Sequence, residues 1–528
     1  MKTPYTIPTI PLAEQTDTVK LLLGVIEHQQ IMLAKQEEQI ELLKEEIKRL
    51  KGHKGKPKIK PSQMNIEAKQ GSGGKRPGSI KRRKTENLEI HEEKIIVVNH
   101  LPAGSSFKGY QNYVSQDLIL KTYNTLYRLE RWKLTDGTYR TASLPEDIKG
   151  HHFGPVLRSF IDYQHHKQHV TQPALLDQLR SFGIDISAGQ LNHLLTESKE
   201  VFHEEKNEIL STGLAVSTYI NVDDTGARHK GGNGYCTHIG NEFFAWFEST
   251  GSKSRINFLQ LLQAGHQDYV VDKNALSYMK KQRLPQAPLA ALRSRMRCFL
   301  DKDSWEKHLD DLGIKVPRHR QLATEGALVG SVLSHGFYVD MKIISDDAGQ
   351  FNIFQHGLCW LHSERKINAL IPFCDSHAKD IKEIRNQFWG IYERLKAYKL
   401  SPTNKEKQAI KRKFDRMCAT KTSYTSLNQA LKRLHNNRKE LLLVLKYPDL
   451  PLHNNLSERD IREYVKKRKI SGSTRSDDGR QSRDTFASLR KTCLKLKINF
   501  WDYLIDRHTK TFAIPQLSHL IRQVAVPT

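Results

Sequence analysis

The sequence predicts an α/β domain preceded by a coiled coil, a basic tether and a helical region. Three observations carry this reading. From about residue 216, short apolar runs such as "STYINV" and "MKIIS" alternate with helical stretches, the pattern of strands and helices layered on one sheet. Residues 17–51 carry an apolar seven-residue repeat. The chain has a formal net charge of +26 and a pI near 9.6, which points to a polyanionic partner, nucleic acid before others.

The repeat places Val19, Ile26, Leu33, Ile40 and Ile47 in one seam position and Leu22, Gln29, Gln36, Leu43 and Leu50 in the other. A coiled coil pairing subunits, as a homodimer or higher oligomer, is expected there. The competing reading is a single amphipathic helix packed on its own domain. Residues 52–92 are predicted to be a flexible tether. Glycine, proline, serine and lysine dominate its first part, 52–84, where eleven Lys/Arg face one Glu, so it can follow a phosphate backbone without reading sequence.

Residues 93–146 are predicted to be a small β-rich segment, with "KIIVVNH" as a strand and Asp136-Gly137 as a hairpin turn. Residues 147–215 are expected to be helical. Within them, "TQPALLDQLRSFGIDISAGQLNHLL" gives two short helices around Gly183, the second opening at Ser187. That is helix-turn-helix spacing, and with this charge it is a DNA-binding candidate, although any helical hairpin shows it.

Residues 216–475 form the α/β domain, with 273–335 a mostly helical insertion, and 476–528 form a C-terminal helical segment. The six cysteines are dispersed and include no CxxC pair, so a reduced, cytoplasmic setting is expected. No apolar run approaches the length of a membrane span, and the N-terminus is a poor signal peptide.

The candidate chemistry lies in carboxylates. Asp223 and Asp346 each follow an apolar run, each opens an Asp-Asp pair, and each precedes a glycine by three residues. Carboxylates at neighbouring strand ends can converge on a hard divalent cation, and two such ions can serve both oxygens of a phosphoryl displacement. Glu458, in "LPLHNNLSERDIREYVKKRKISGS", is the third candidate, followed on one helix by Arg459, Arg462, Lys466, Lys467, Arg468 and Lys469. The structural alternatives are concrete. Each Asp-Asp pair could cap a turn, and Glu458 could close a capping box if Asn455 is the N-cap. Asp272, in "YVVDKNALSY", is a rival for the second carboxylate.

Taken in order, "VDDTGAR", "SDDAGQF", "CWLHSERKI" and "LPLHNNLSERDIR" resemble a DDE transposase of the IS66 type, over residues 216–507. The resemblance implies an RNase-H-like catalytic core and an enzyme that cuts transposon ends and joins them to target DNA. It implies Asp223, Asp346 and Glu458 as catalytic ligands of two Mg²⁺ ions, with Mn²⁺ able to substitute. It implies phosphate contacts from Arg459, Arg462, Lys466, Lys467, Arg468 and Lys469. Asp224, Asp347, Cys359, His362 and Asn455 are secondary positions of the same motifs. Transposon-end and target DNA are the expected partners, with accessory transposition proteins possible and no membrane, in a bacterial cytoplasm at the nucleoid. The 123 positions between Asp223 and Asp346 exceed the family's usual interval, and its cysteine-rich N-terminal module is absent. A non-catalytic DNA-binding protein and a structure-specific nuclease on the same fold are the rival functions.

Overall fold

A computed structural model describes residues 16–22, 24–26, 29, 32, 89–100, 102, 104–294, 297–336 and 341–525. The described residues divide into two compact units, one within 16–122 and a larger one within 123–525.

In the smaller unit, residues 17–22, 24–26, 29 and 32 are helical; the rest of the predicted coiled coil, and nearly all of the predicted tether, lie outside the described residues. The strand expected at "KIIVVNH" is absent. Ile95 to Val98 are more than half exposed and have no ladder partner among the described residues. β-Branched residues favour extended backbone, yet a strand exists only when a second one accepts its hydrogen bonds. In the larger unit the β-rich segment contracts to one hairpin, β1 (Arg131–Lys133) and β2 (Tyr139–Thr141). Its turn is the expected one: Asp136 accepts hydrogen bonds from the Thr138 N–H and hydroxyl at 2.9 and 2.7 Å.

The helical region follows. Gln172–Ser181 and Ala188–Thr196 pack on each other around Leu175, Leu179, Ile186, Leu191 and Leu195. Ser187 caps the second helix in a reciprocal box with Gln190, and Gly183 takes the positive φ (80°) that lets the chain turn.

The centre of the larger unit is a five-stranded mixed sheet. β3 (Tyr219–Gly226), β4 (Tyr235–Gly240) and β5 (Ala245–Thr250) run as an antiparallel meander. A two-stranded ribbon, β6 (Tyr269–Val270) with β7 (Cys298–Phe299), lies apart from them. β8 (Lys342–Ser345) then joins β3 in parallel and β9 (Gln355–Leu358) joins β8, for a spatial order β5-β4-β3-β8-β9.

Side chains alternate across this sheet, and both faces are covered. Ile220, Val222, Ile239, Trp246 and Ile343 point into the main core. Cys236, Ala245 and Phe247 point the other way, onto Ile461 and Tyr464 of the helix Asn455–Ser471. The insertion is part of the main core rather than an appendage: Met279, Trp305, Leu309 and Leu328 belong to it. Residues between β9 and Asn455 fold instead around a second, all-helical core centred on Trp360, Phe388 and Phe414.

The outer edge of β5 is closed by a helix. Thr492, Ser488 and Asp484, four residues apart along Asp477–Lys495, accept the N–H groups of Ala245, Phe247 and Ser249 at 3.2, 2.9 and 2.7 Å. One polar helical stripe thus replaces a sixth strand and removes an open edge. No helix of the described residues is long and apolar enough to cross a membrane.

Candidate functional site

Two parallel strands bring the aspartates together. β3 and β8 pair Tyr219 with Lys342, Ile220 with Ile343 and Asn221 with Ile344. Two residues beyond the last of these pairs stand Asp223, on β3, and Asp346, the residue that follows β8, near enough that the charge of Asp346 acts on Asp223. Asp346 Oδ1 accepts the Ala348 N–H at 3.0 Å, which turns the chain away after β8. Asp223 Oδ1 accepts the Asp224 N–H at 2.8 Å.

Glu458 comes from the helix that crosses this face. Asn454, fully buried, fixes that helix to β3: its Nδ2 donates to Val222 O and its Oδ1 accepts from Asn221 Nδ2, both at 2.8 Å. At the other end Arg468 Nη1 donates to Thr225 Oγ1 at 3.1 Å and to Gly226 O. Midway, Ser457 hydrogen-bonds Nδ1 of His238, the β4 residue opposite Asp223, and Asp460 Oδ2 lies 3.3 Å from its Nε2. The helix is therefore tied along the length of β3, with Glu458 held toward the aspartates. The capping-box alternative for Glu458 fails. Asn454 is the N-cap, Asn455 is the first helical residue, and no side-chain cap forms. Asn455 is half-buried at the helix start.

The three carboxylates feel one another. Burial pushes the Asp223 carboxyl up to about 7, and the charges of Asp346, Asp224 and Glu458 push the same way. Among the described residues neither Asp223 nor Asp346 has an ion-pair partner. Glu458 faces Arg365, whose Nη1 and Nη2 lie 3.3 and 3.4 Å from its two oxygens, and His362 Nε2 at 3.6 Å. His362 and Arg365 stand one turn apart on the helix Trp360–Asn368, which starts directly after β9. Oxygen-only ligands, two of them aspartates without a cation partner, fit a hard divalent cation, so the residues present suit the metal expected from the sequence.

The secondary positions separate. Asp224 points to the opposite face of β3 and accepts from Gln350 Nε2 at 2.6 Å. Asp347 leaves the site for Lys366, Arg433 and Asn437. Burial works against its charge, but Lys366 and Arg433 outweigh it and hold the carboxyl below the usual range. Cys359 is buried, accepts the Asn454 N–H at 3.2 Å, and caps the His362 helix. Asp272 is excluded as the second carboxylate, because it caps the helix Lys273–Lys281 through the Ala275 N–H at 2.8 Å.

The basic residues divide as well. Arg459, Arg462 and Lys469 are exposed. Lys466 is exposed and paired with Glu463 at 2.7 Å. Lys467 does not fit the phosphate contact expected of it. It is buried, its Nζ is bonded to His165 O at 2.5 Å, and burial with Arg483 and Arg490 nearby brings its ammonium down to about 7. Arg468 is committed to the end of β3. A helix has an inner face, and the four consecutive basic positions 466–469 cannot all reach solvent. Asn454, Gln350 and Arg365 were not singled out from sequence. For Arg365 a signal existed, since it follows His362 by three residues on one helical face.

Residues 331–482 match the family described as "Transposase IS66 family". The chain is also 42% identical over 302 residues to "Uncharacterized protein y4jO" of Sinorhizobium fredii, an alignment covering 57% of this chain and 94% of that protein. The family match contains both Asp346 and Glu458 with the helices that place them, and this chain belongs to the IS66 transposase family.

Proposed function

We propose that this transposase works as a DDE enzyme, with Asp223, Asp346 and Glu458 as its catalytic carboxylates, cutting the ends of its element and joining them to target DNA. The observation that carries this reading is that Asp223 on β3 and Asp346 just past the end of the adjacent parallel β8 share one cluster with Glu458, whose helix is tied across β3. The strand order, a three-strand antiparallel meander extended by two parallel strands, supports an RNase-H-like core.

Asp223, Asp346 and Glu458 would hold divalent cations, Mg²⁺ by ligand class, which supply Lewis-acid activation at phosphorus. The chain's own residues do the positioning. Asn454, His238 and Arg468 keep the Glu458 helix on β3. Arg459, Arg462 and Lys469, on the outer side of that helix, bind phosphates and set the DNA backbone against the carboxylates. Lys467 has no part in this. In the first reaction water breaks a P–O bond at the element's end and frees a 3′-hydroxyl. In the second that hydroxyl attacks a target phosphodiester, one P–O bond forming as another breaks. Neither step needs a covalent intermediate on the protein.

The helix pair Gln172–Ser181 and Ala188–Thr196 is the proposed reader of DNA ends. Its second helix exposes Asn192 and His193, whose side chains can hydrogen-bond base edges. Pairing of two subunits through residues 17–51 would hold two ends together.

The test is cleavage and joining of labelled end DNA in Mg²⁺, with wild type compared with Asp223→Ala, Asp346→Ala, Glu458→Ala and Asp272→Ala. Loss of both reactions in the first three, with DNA binding intact and Asp272→Ala active, is expected. Wild-type protein that binds end DNA but never cuts it would overturn the proposal. Cutting without joining would mark a nuclease instead.

A further inference from the structure

A second cluster of ligating side chains lies at the neck of the insertion, away from the carboxylates. His266 and Asp268 occupy the turn leading into β6, just before the insertion begins. His335, the last residue of the insertion, caps the helix Pro317–Ser334. One ligand atom from each of the three lies within 4.8 Å of the others. His335 Nε2 is 2.8 Å from Asp268 Oδ1, and the imidazoles of His266 and His335 stack with centroids 3.5 Å apart. Cys298, on β7 opposite Val270, brings its Sγ to 3.7 Å from Asp268 Oδ2.

The cluster rests on a buried support. Ser331, fully buried one turn before His335, donates to Asp268 Oδ1 at 2.9 Å. Gln263, also buried, donates to both Ser331 Oγ and Asp268 O, at 2.8 and 2.7 Å. Such second-layer hydrogen bonds orient ligands at built metal sites.

We propose that His266, Asp268 and His335, with Cys298 as fourth donor, form a structural site for a borderline transition-metal ion of the Zn²⁺ class. Two imidazoles, a carboxylate and a thiol suit Zn²⁺ and not Mg²⁺, which takes oxygen ligands. Binding requires one ring of the stacked pair to turn. His266 is exposed and follows Ala264 and Gly265, both at positive φ, so its ring is the one free to move. The ion would clip the two ends of the insertion together.

The test uses the full chain, stripped of metal by a chelator and kept in excess Mg²⁺, titrated with Zn²⁺ by calorimetry and with Co²⁺ as an optical probe. Wild type is expected to take up Zn²⁺ with an affinity that falls at least about tenfold in His266→Ala and in His335→Ala. The metal-free melting temperatures of these variants should match wild type within a degree or two, because His266 is exposed, which separates lost ligation from lost folding. Cys298→Ser should abolish the thiolate-to-cobalt absorption band. Equal Zn²⁺ affinity in wild type and both histidine variants, or no uptake by wild type, would overturn the site. A thiolate band that survives in Cys298→Ser would overturn the four-donor form.

Discussion

Two carboxylates stand two residues apart on one helix and illustrate opposite uses of buried charge. Asp460 faces inward and meets His238 Nε2 at 3.3 Å, Lys495 Nζ at 2.8 Å and Lys491 Nζ at 3.6 Å. Burial works against its ionisation, but His238 and Lys495 overcome it and hold the carboxyl far below the ordinary range. Glu458 faces the cluster where Asp223 and Asp346 have no cation beside them, and there burial raises Asp223 to about 7. The compensated group is glue. Asp223, uncompensated in that cluster, carries repulsion that a bound cation would relieve, which is the mark of a site rather than of a scaffold.

The comparison can be broken in several places. The largest effect is expected in chemistry. Asp346→Ala or Glu458→Ala should lower end cleavage by about three orders of magnitude or more while folding is retained, measured as single-turnover rates. Next comes the glue. Asp460→Ala strands His238, Lys491 and Lys495 and should cost about 3 kcal/mol in denaturant unfolding. A change under about 1 kcal/mol would show that the pairing is dispensable.

Asn454→Ala removes two buried hydrogen bonds and leaves Asn221 unpaired. It should cost about 2 kcal/mol and slow cleavage as well, because the helix loses its hold on β3. Wild-type cleavage in a destabilised Asn454→Ala would separate the helix anchor from the placement of Glu458.

The smallest effect has the opposite sign. Asp223 binds its proton more tightly folded than unfolded. Metal-free stability therefore falls as pH rises from about 4 toward 7, and the cost stays in full above that. Asp223→Asn should remove that slope and stabilise the metal-free protein by on the order of 1 kcal/mol at pH 8. The Asp460 contribution runs the other way, being full above the carboxylate range and lost as pH falls through it. A destabilised Asp223→Asn would mean that the aspartate is compensated after all.

Much of the α/β unit was legible because its strands are covered on both faces and so read as dense apolar runs. β3 and β8 lie where those runs predicted them, and the Asp136-Gly137 turn and the Ser187 cap follow from local chemistry alone. The misreadings share a cause. Ile95–Val98 has the composition of a strand and no partner. Lys467 has the charge of a DNA contact and a buried position. Both facts concern what lies opposite a residue, and residue type does not encode that.

Sequence by itself determined the carboxylates, their order along the chain and the helix that carries Glu458. Those follow from apolar period and residue type, which are local. Only the tertiary structure decided that Asp223 pairs with Asp346 and not Asp272, that Asp347 and Asp460 are neutralised while Asp223 is not, and that the Asp477–Lys495 helix closes the open sheet edge. Strand register joins residues more than a hundred positions apart in the chain, charge compensation joins groups on different elements, and packing alone brings them together.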